Sequence, residues 1–410
     1  MVTELCLGAA LTGSLFPGSE VVLEGLMKKV YVDNSSTSFP KAPGVSDVIK
    51  NYLDNSGYNI GRGGYAGSYE VAFEALEARR LLAEMFNASP QEVIFTPGIT
   101  YSLNILLHGL LRQGDHVITS SMEHNAVMRP LHELSKKGVV YDTVRCELDG
   151  SLEAEKIIPY VKKETKAIVL LHASNVCGTV MPIKDVAEMA KKHNLKLVVD
   201  AAQTAGVLSI DASYVDALAF AGHKGLLGPQ GIGGFVIKKD FADEISPLIL
   251  GGTGSQSDSS EQPNFMPDKY ESGTLNIPGI MGLKKAIEYI NSVGVKTIFE
   301  KEMALTFEFI LRISEIDGVR LIGKKERANR VGVVSLDFLD MDNAKVSAML
   351  DEKYGIMTRC GLHCAPMAHR TLETFPHGTV RFSFGYFNTM DEVEYIVHSI
   401  KEVQKFYHKL

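Results

Sequence analysis

The chain has no C-x-x-C pair. Its five cysteines, Cys6, Cys146, Cys177, Cys360 and Cys364, form an odd and scattered set, which excludes a disulfide framework and a zinc site of the usual spacing. A reducing cytoplasm is the expected compartment. A basic surplus is missing as well: 42 Lys and Arg stand against 49 Asp and Glu, for a net charge of -7. Binding a phosphate backbone wants a basic face, so nucleic acid is excluded as the main partner. No apolar run is long enough to span a bilayer; the stretch from Leu5 to Phe16 is too short. Residues 1–26 contain no Lys or Arg, so that stretch also lacks the basic region of a secretory signal. Met27-Lys28-Lys29-Val30-Tyr31-Val32-Asp33 reads as a natural start, and residues 1–26 are expected to be a leader or an expression-derived segment. Internal repeats and low-complexity tracts are absent from the sequence.

What remains is an ordinary globular composition, 45% hydrophobic and 22% charged. A length of 410 residues accommodates one large domain of about 250 residues and a smaller one. From about residue 70 helical and extended patterns alternate, the signature of an α/β sheet flanked by helices. Strands are expected at 92–96, 116–120, 139–144, 167–173, 196–201, 217–221 and 233–238. Helices are expected at 71–86, 100–111, 183–193 and 279–292. Residues 251–260 are Gly- and Ser-rich and, with 261–268, form a long irregular stretch of the functional or mobile kind. Strands near 331–336 and 380–384 belong to a C-terminal part, which places the boundary near 290: a large domain over 27–290, a smaller α+β domain over 291–410.

The polar residues of interest follow strand ends. Gly98 and Thr100 follow the first strand, His124 the second, Asn175 a later one, Asp200 and Gln203 the next, His223 and Lys224 the one after. Ligands in open α/β sheets bind outside the carboxyl ends of strands, so these groups should converge on one crevice.

Asp200 ends the apolar run Leu197-Val198-Val199, where an ionised carboxylate is costly without a positive partner. Lys224 ends the next strand, in Gly222-His223-Lys224-Gly225. A lysine to form a Schiff base and a carboxylate to keep a ring nitrogen protonated are what pyridoxal phosphate chemistry needs. Taken singly, Asp200 also reads as a helix cap and Lys224 as a solvated loop lysine; the pairing favours the cofactor. Gly98-Ile99-Thr100 opens a helix whose free N–H groups and dipole favour an anion, against a plain N-cap. His223 is a further phosphate donor. His124 reads either as a ring stacked on the cofactor or as an ordinary strand-end histidine. Cys364, in Arg359-Cys360-Gly361-Leu362-His363-Cys364-Ala365-Pro366, sits in a Gly/Pro-bounded loop beside Arg and His, an accessible and electropositive setting that suits a nucleophile. Arg381 offers a bidentate clamp for a substrate carboxylate, or else an ion pair at the surface.

Together these segments resemble the pyridoxal phosphate-dependent cysteine desulfurases of the aminotransferase class V group, in the branch that holds SufS-like enzymes and selenocysteine lyases. The likeness covers about residues 30–405. It rests on Tyr31-Val-Asp-Asn-Ser-Ser36, Glu123-His124-Asn125, Ser174-Asn175-Val-Cys-Gly178-Thr179, Val199-Asp200-Ala-Ala-Gln203, Gly222-His223-Lys224, Glu271-Ser-Gly-Thr274 and Arg359 to Ala365. The resemblance implies a fold-type I transferase with a seven-stranded, mainly parallel sheet. It implies Lys224 as the Schiff-base lysine, Asp200 as the ring-nitrogen partner, Gln203 as the phenolate contact and His124 as the stacking ring. Ile99, Thr100 and His223 are implied at the phosphate, and Thr274 at the phosphate of a neighbouring subunit, hence a homodimer. Asn175 is implied beside the cofactor, Arg381 and Arg359 at the substrate carboxylate, Arg62 at the entrance and Cys364 as the persulfide-forming cysteine. The implied reaction converts L-cysteine to L-alanine and passes sulfur to a protein acceptor. Alternatives on the same fold are a selenocysteine lyase, a cysteine sulfinate desulfinase, or another class V aminotransferase or epimerase; a catalytically idle scaffold is the rival from another class. Ala221 and Leu362 depart from the pattern, where a phosphate-binding serine and a histidine are common, and Cys360 adds a thiol whose role is open.

Overall fold

The computed structural model describes residues 28–60 and 63–407. The segment 1–26 and Arg62 lie outside the described residues. The centre is a seven-stranded sheet of β2 (Val93–Thr96), β3 (His116–Ser120), β4 (Val140–Val144), β5 (Thr165–Leu171), β6 (Lys196–Asp200), β7 (Ala217–Ala221) and β8 (Gly233–Ile237), in the order β2-β8-β7-β6-β5-β3-β4. Only β8 runs antiparallel to its neighbours. Strands of a parallel sheet are buried on both faces, so alternate side chains enter opposite cores. In β5, Ile168 and Leu170 enter one cluster while Ala167 and Val169 enter the other. In β7, Leu218 and Phe220 are split in the same way from Ala217 and Ala219.

A second sheet, antiparallel, orders β12 (Arg359–Gly361), β13 (Thr379–Ser383), β10 (Val333–Phe338) and β9 (Val319–Ile322). The helices Val295–Ile313, Asn343–Tyr354 and Met390–Tyr407 pack on it around Phe309, Leu336, Phe382 and Ile396. The amino-terminal β1 (Val30–Tyr31) pairs in parallel with β11 (Ile356–Met357), and Val30 and Val32 are buried in that same C-terminal core. The segment after β1 is thereby anchored beside the C-terminal sheet. Among the described residues no helix is long and apolar enough to cross a membrane.

Candidate active site

Five strands of the large sheet deliver the cleft from their carboxyl ends. Asp200 is the last residue of β6 and is 4% exposed. Its Oδ1 accepts from the Ala202 N–H at 2.8 Å. Burial pushes its carboxyl above the ordinary range, opposed by that N–H and by the charge of Lys224. Lys224 follows β7. Burial pushes its ammonium down to about 8, with Asp200 pulling upward and Arg381 and Arg359 pressing further down. The loop that carries it is held tightly: a Cβ at Gly225 would stand 2.6 Å from the Ala205 carbonyl oxygen, so the two strand-end loops meet backbone to backbone only because position 225 is glycine.

His124 caps the helix Asn125–Ser135, its Nδ1 accepting from Ala126 N–H at 3.0 Å. With that nitrogen an acceptor, the ring proton belongs on Nε2. Burial, then the charges of Lys224, Arg359 and Arg381, push this imidazole down to about 3, so it is neutral at physiological pH. His223 is also neutral, pushed to about 4 by burial and by Lys224 and Lys41. Its Nδ1 is buried without a hydrogen-bond partner among the described residues. Thr100 is exposed in the first turn of the helix Ile99–Leu110, whose N-terminus has no side-chain cap; the N–H groups there are open to an anion.

On the other wall, Asn175 donates from Nδ2 to the His363 carbonyl at 2.8 Å, and its backbone carbonyl accepts from Arg381 Nη1 at 2.9 Å. Asn175 Oδ1 is also buried without a partner among the described residues. Arg381 is 1% exposed. Its Nη2 reaches Asp33 Oδ1 at 2.7 Å and Ser36 Oγ at 2.8 Å. The ion pair is therefore buried rather than at the surface. Arg359 is half-buried and donates from Nη1 to Ser36 Oγ at 2.7 Å; its Nη2 lies 3.8 Å from Cys364 Sγ.

Cys364 is exposed. It and His363 both adopt positive φ, 57° and 49°, a region sparsely populated by residues with a side chain. Two contacts fix that geometry: Asn175 at the His363 carbonyl and the Asn125 N–H at the Cys364 carbonyl, 2.8 Å each. The sequence suggests a loop from Arg359 onward, but Arg359–Gly361 is a strand, because Arg359 and Gly361 register against Arg381 and Thr379 of β13. Cys360 faces Val380 in that ladder and packs against the C-terminal core.

The cleft thus gathers Lys224, Asp200, His124, His223, Asn175, Arg359, Arg381 and Cys364. Gln203 lines a cavity with Lys224 and Ser35, its Nε2 donating to the Ser35 carbonyl at 3.1 Å. Thr274 is exposed on the loop before the helix Ile277–Val293 and, among the described residues, makes no hydrogen bond to the cleft. Sequence reasoning gave no role to Asp33 or Ser36, although both lie in a motif it quotes. It also passed over Lys41, whose Nζ donates to the His223 carbonyl at 2.9 Å, and Glu123. Glu123 is fully buried, accepts from Ser120 Oγ and Leu171 N–H, and is pushed by burial to about 8. Nothing in a short polar run tells which of its residues will face a cleft built from strands far along the chain.

Comparison with known proteins identifies the family and the fold. Residues 30–396 match the Aminotransferase class-V family. A probable cysteine desulfurase of Methanothermobacter thermautotrophicus is 35% identical over 386 residues, 92% of this chain and 95% of that protein. A probable cysteine desulfurase of Pyrococcus abyssi is 32% identical over 388 residues, 92% and 94% of the two chains. The apo structure of a cysteine desulfurase from Thermococcus onnurineus superposes with a TM-score of 0.86 at 30% identity, covering 92% of this chain and 95% of that one. With its mainly parallel seven-stranded sheet, its strand-end lysine and carboxylate, and this match along nearly its whole described length, the chain belongs to the class V aminotransferase family.

Proposed function

We propose that the protein is a pyridoxal 5'-phosphate-dependent cysteine desulfurase that converts L-cysteine to L-alanine and retains the sulfur on Cys364 as a persulfide. The observation that carries the reading is a buried carboxylate and a buried amine facing one cleft, with an exposed cysteine at its mouth. The residues fit the cofactor. Asp200 is a buried acid with one backbone donor, suited to a ring N–H. The unpartnered His223 Nδ1 and the uncapped helix start at Ile99 and Thr100 suit a phosphate. His124 suits the ring face and Gln203 the phenolic oxygen.

When bound, the cofactor supplies an electron sink for the Cα–H bond of the amino acid. Lys224 serves as the attachment amine and then as the base at Cα, and its lowered affinity for protons makes the free amine accessible near neutral pH. Asn175, Arg381 and Arg359 receive the α-carboxylate. Neutral His124 holds a proton at Nε2 and would offer it to the bound cofactor. Cys364 attacks the substrate sulfur: the S–S bond forms, the Cβ–S bond breaks, and the electron pair and a proton end on Cβ, which becomes the alanine methyl group. An external protein thiol then removes the sulfur.

The same reading takes the chain as a cytoplasmic homodimer with Thr274 at the neighbour's phosphate, and Arg62 at the entrance. Exposed Tyr69, Phe73 and Leu76 on one helix support a second copy as the cover for that face. The division into a large domain over 27–290 and a smaller one over 291–410 takes its support from the helix break at Gly294, φ 91°, which favours a boundary a few residues past 290, after the helix Ile277–Val293.

Borohydride reduction of protein saturated with pyridoxal phosphate, followed by peptide mass mapping, should place the pyridoxyl mass on Lys224. Cys364→Ala should keep that mass yet release alanine from L-cysteine at least about 100-fold more slowly. An unmodified Lys224 overturns the cofactor assignment; undiminished alanine release by the Ala variant overturns the persulfide.

A further inference from the structure

Two guanidinium groups converge on one hydroxyl. Ser36 Oγ accepts from Arg359 Nη1 at 2.7 Å and from Arg381 Nη2 at 2.8 Å, and donates to Asp33 Oδ1 at 2.8 Å. Asp33 in turn takes Arg381 Nη2 at 2.7 Å. Two positive charges therefore face a single carboxylate, leaving one unit of positive charge at the mouth of the cleft. Arg359 spans the gap to the nucleophile, with Nη2 at 3.8 Å from Cys364 Sγ. Arg381 is locked by three oxygens, those of Asp33, Ser36 and Asn175. Among the described residues, Arg359 has only Ser36 as an oxygen partner.

We propose that Ser36 is a positioning residue that assembles Arg359 and Arg381 into one carboxylate-recognising clamp beside Cys364, and so restricts the site to compounds bearing a free carboxylate. The inference rests on the cysteine desulfurase reading for the identity of the substrate, but not for the clamp itself. An arriving carboxylate provides two acceptor oxygens where Ser36 provides one, and it neutralises the uncompensated charge. Ser36 holds the planar groups in the orientation that the carboxylate then meets, so the ordering of Arg359 precedes binding. With alanine at position 36, Arg359 keeps only its contact to sulfur and becomes free to sample other rotamers.

The test uses two reagents of similar size on the full chain without cofactor. Iodoacetate carries a carboxylate and iodoacetamide does not, and both alkylate Cys364. Because the thiol is common to both reactions, the ratio of their rates reads recognition of the carboxylate and cancels the intrinsic reactivity of the sulfur. Mass mapping of the Cys364 peptide should show that ratio falling about fivefold in Ser36→Ala and holding in Ser36→Thr, which keeps the hydroxyl. An unchanged ratio in Ser36→Ala, or an equal fall in Ser36→Thr, overturns the proposal. In the loaded enzyme, KM for L-cysteine should rise about tenfold in Ser36→Ala while kcat stays within about threefold. A fall in kcat alone, with KM unmoved, also overturns it. Absence of alanine release by the wild-type protein counts against the desulfurase reading, whereas the alkylation ratio still decides the clamp.

Discussion

Asp200 shows how much one residue depends on what meets it. Its carboxylate lies at the end of an all-apolar strand, has one backbone donor, and is raised in pKa by burial while Lys224 pulls it down. In the proposed reading a ring N–H would complete that environment, and an amide side chain would not hold the ring proton. Asp200→Asn is therefore expected to bind pyridoxal phosphate through His223, Thr100 and Lys224, yet to release alanine from L-cysteine about 10²-fold more slowly, as removal of one preorganised electrostatic partner typically does. An absorbance titration of the cofactor beside steady-state alanine release checks both halves, and wild-type turnover in the Asn variant counts against the assignment. The place of Asp200 and Lys224 in the cleft was legible in the sequence because Asp200 ends an apolar strand and Lys224 follows another by three residues, where a charge is conspicuous. Asp33 and Ser36 were not, since they sit in a polar run, Asp33-Asn34-Ser35-Ser36, in which no hydrophobic period marks which side faces inward.

At the scale of elements, strands fully enclosed by sheet neighbours were the most readable. The expected strands 116–120 and 217–221 coincide with β3 and β7, and the others lie within two residues at each end. The strand at Arg359–Gly361 escaped because its formation depends on β13, about twenty residues on, and not on any pattern of its own. The outer edge of the large sheet adds a further non-local element. β2 is an edge strand, and Glu271, far along the chain, accepts from the Phe95 N–H at 2.6 Å and pairs with the buried Arg79. This one carboxylate satisfies the strand's open N–H, neutralises Arg79 and ties the long irregular stretch ending near Thr274 to the strand that leads into Ile99 and Thr100. Glu271→Ala leaves a buried guanidinium uncompensated and should cost about 3–5 kcal/mol, seen as a lower midpoint in urea. A midpoint within experimental error of wild type would show that the edge is closed by something else.

Over the whole molecule, burial of ionisable groups sets the response to pH before any cofactor binds. Burial pushes Glu123 and Glu302 up to about 8 from 4.5. Between those values the folded chain binds protons that the unfolded chain has released, so these groups lower stability as pH rises. Buried histidines act in the opposite sense. His124 is pushed to about 3, and His172, His223 and His369 to about 4, from 6.5. Below about 6.5 the unfolded chain binds the extra protons, and stability rises with pH. Together with His363, which burial pushes the same way, these histidines outweigh two glutamates in that lower range; above it the histidine contribution fades, and the glutamates are opposed by Lys224 and Lys41, which burial lowers to about 8 from 10.5. The cofactor-free protein should therefore gain thermal stability from about pH 4.5 to 6.5 and lose it only slightly, by about a degree in Tm, from about 6.5 to 7.5. Glu302, on the helix Val295–Ile313 of the C-terminal part, lines the cavity with Lys224 and Gln203 but has no role in the proposed chemistry. Glu302→Gln removes one of the two titrating carboxyls without changing the packing volume, so its Tm should decline less steeply over the upper range than that of the wild type. A Gln variant whose Tm follows the wild-type slope over that range would show that Glu302 does not hold its proton in the folded chain.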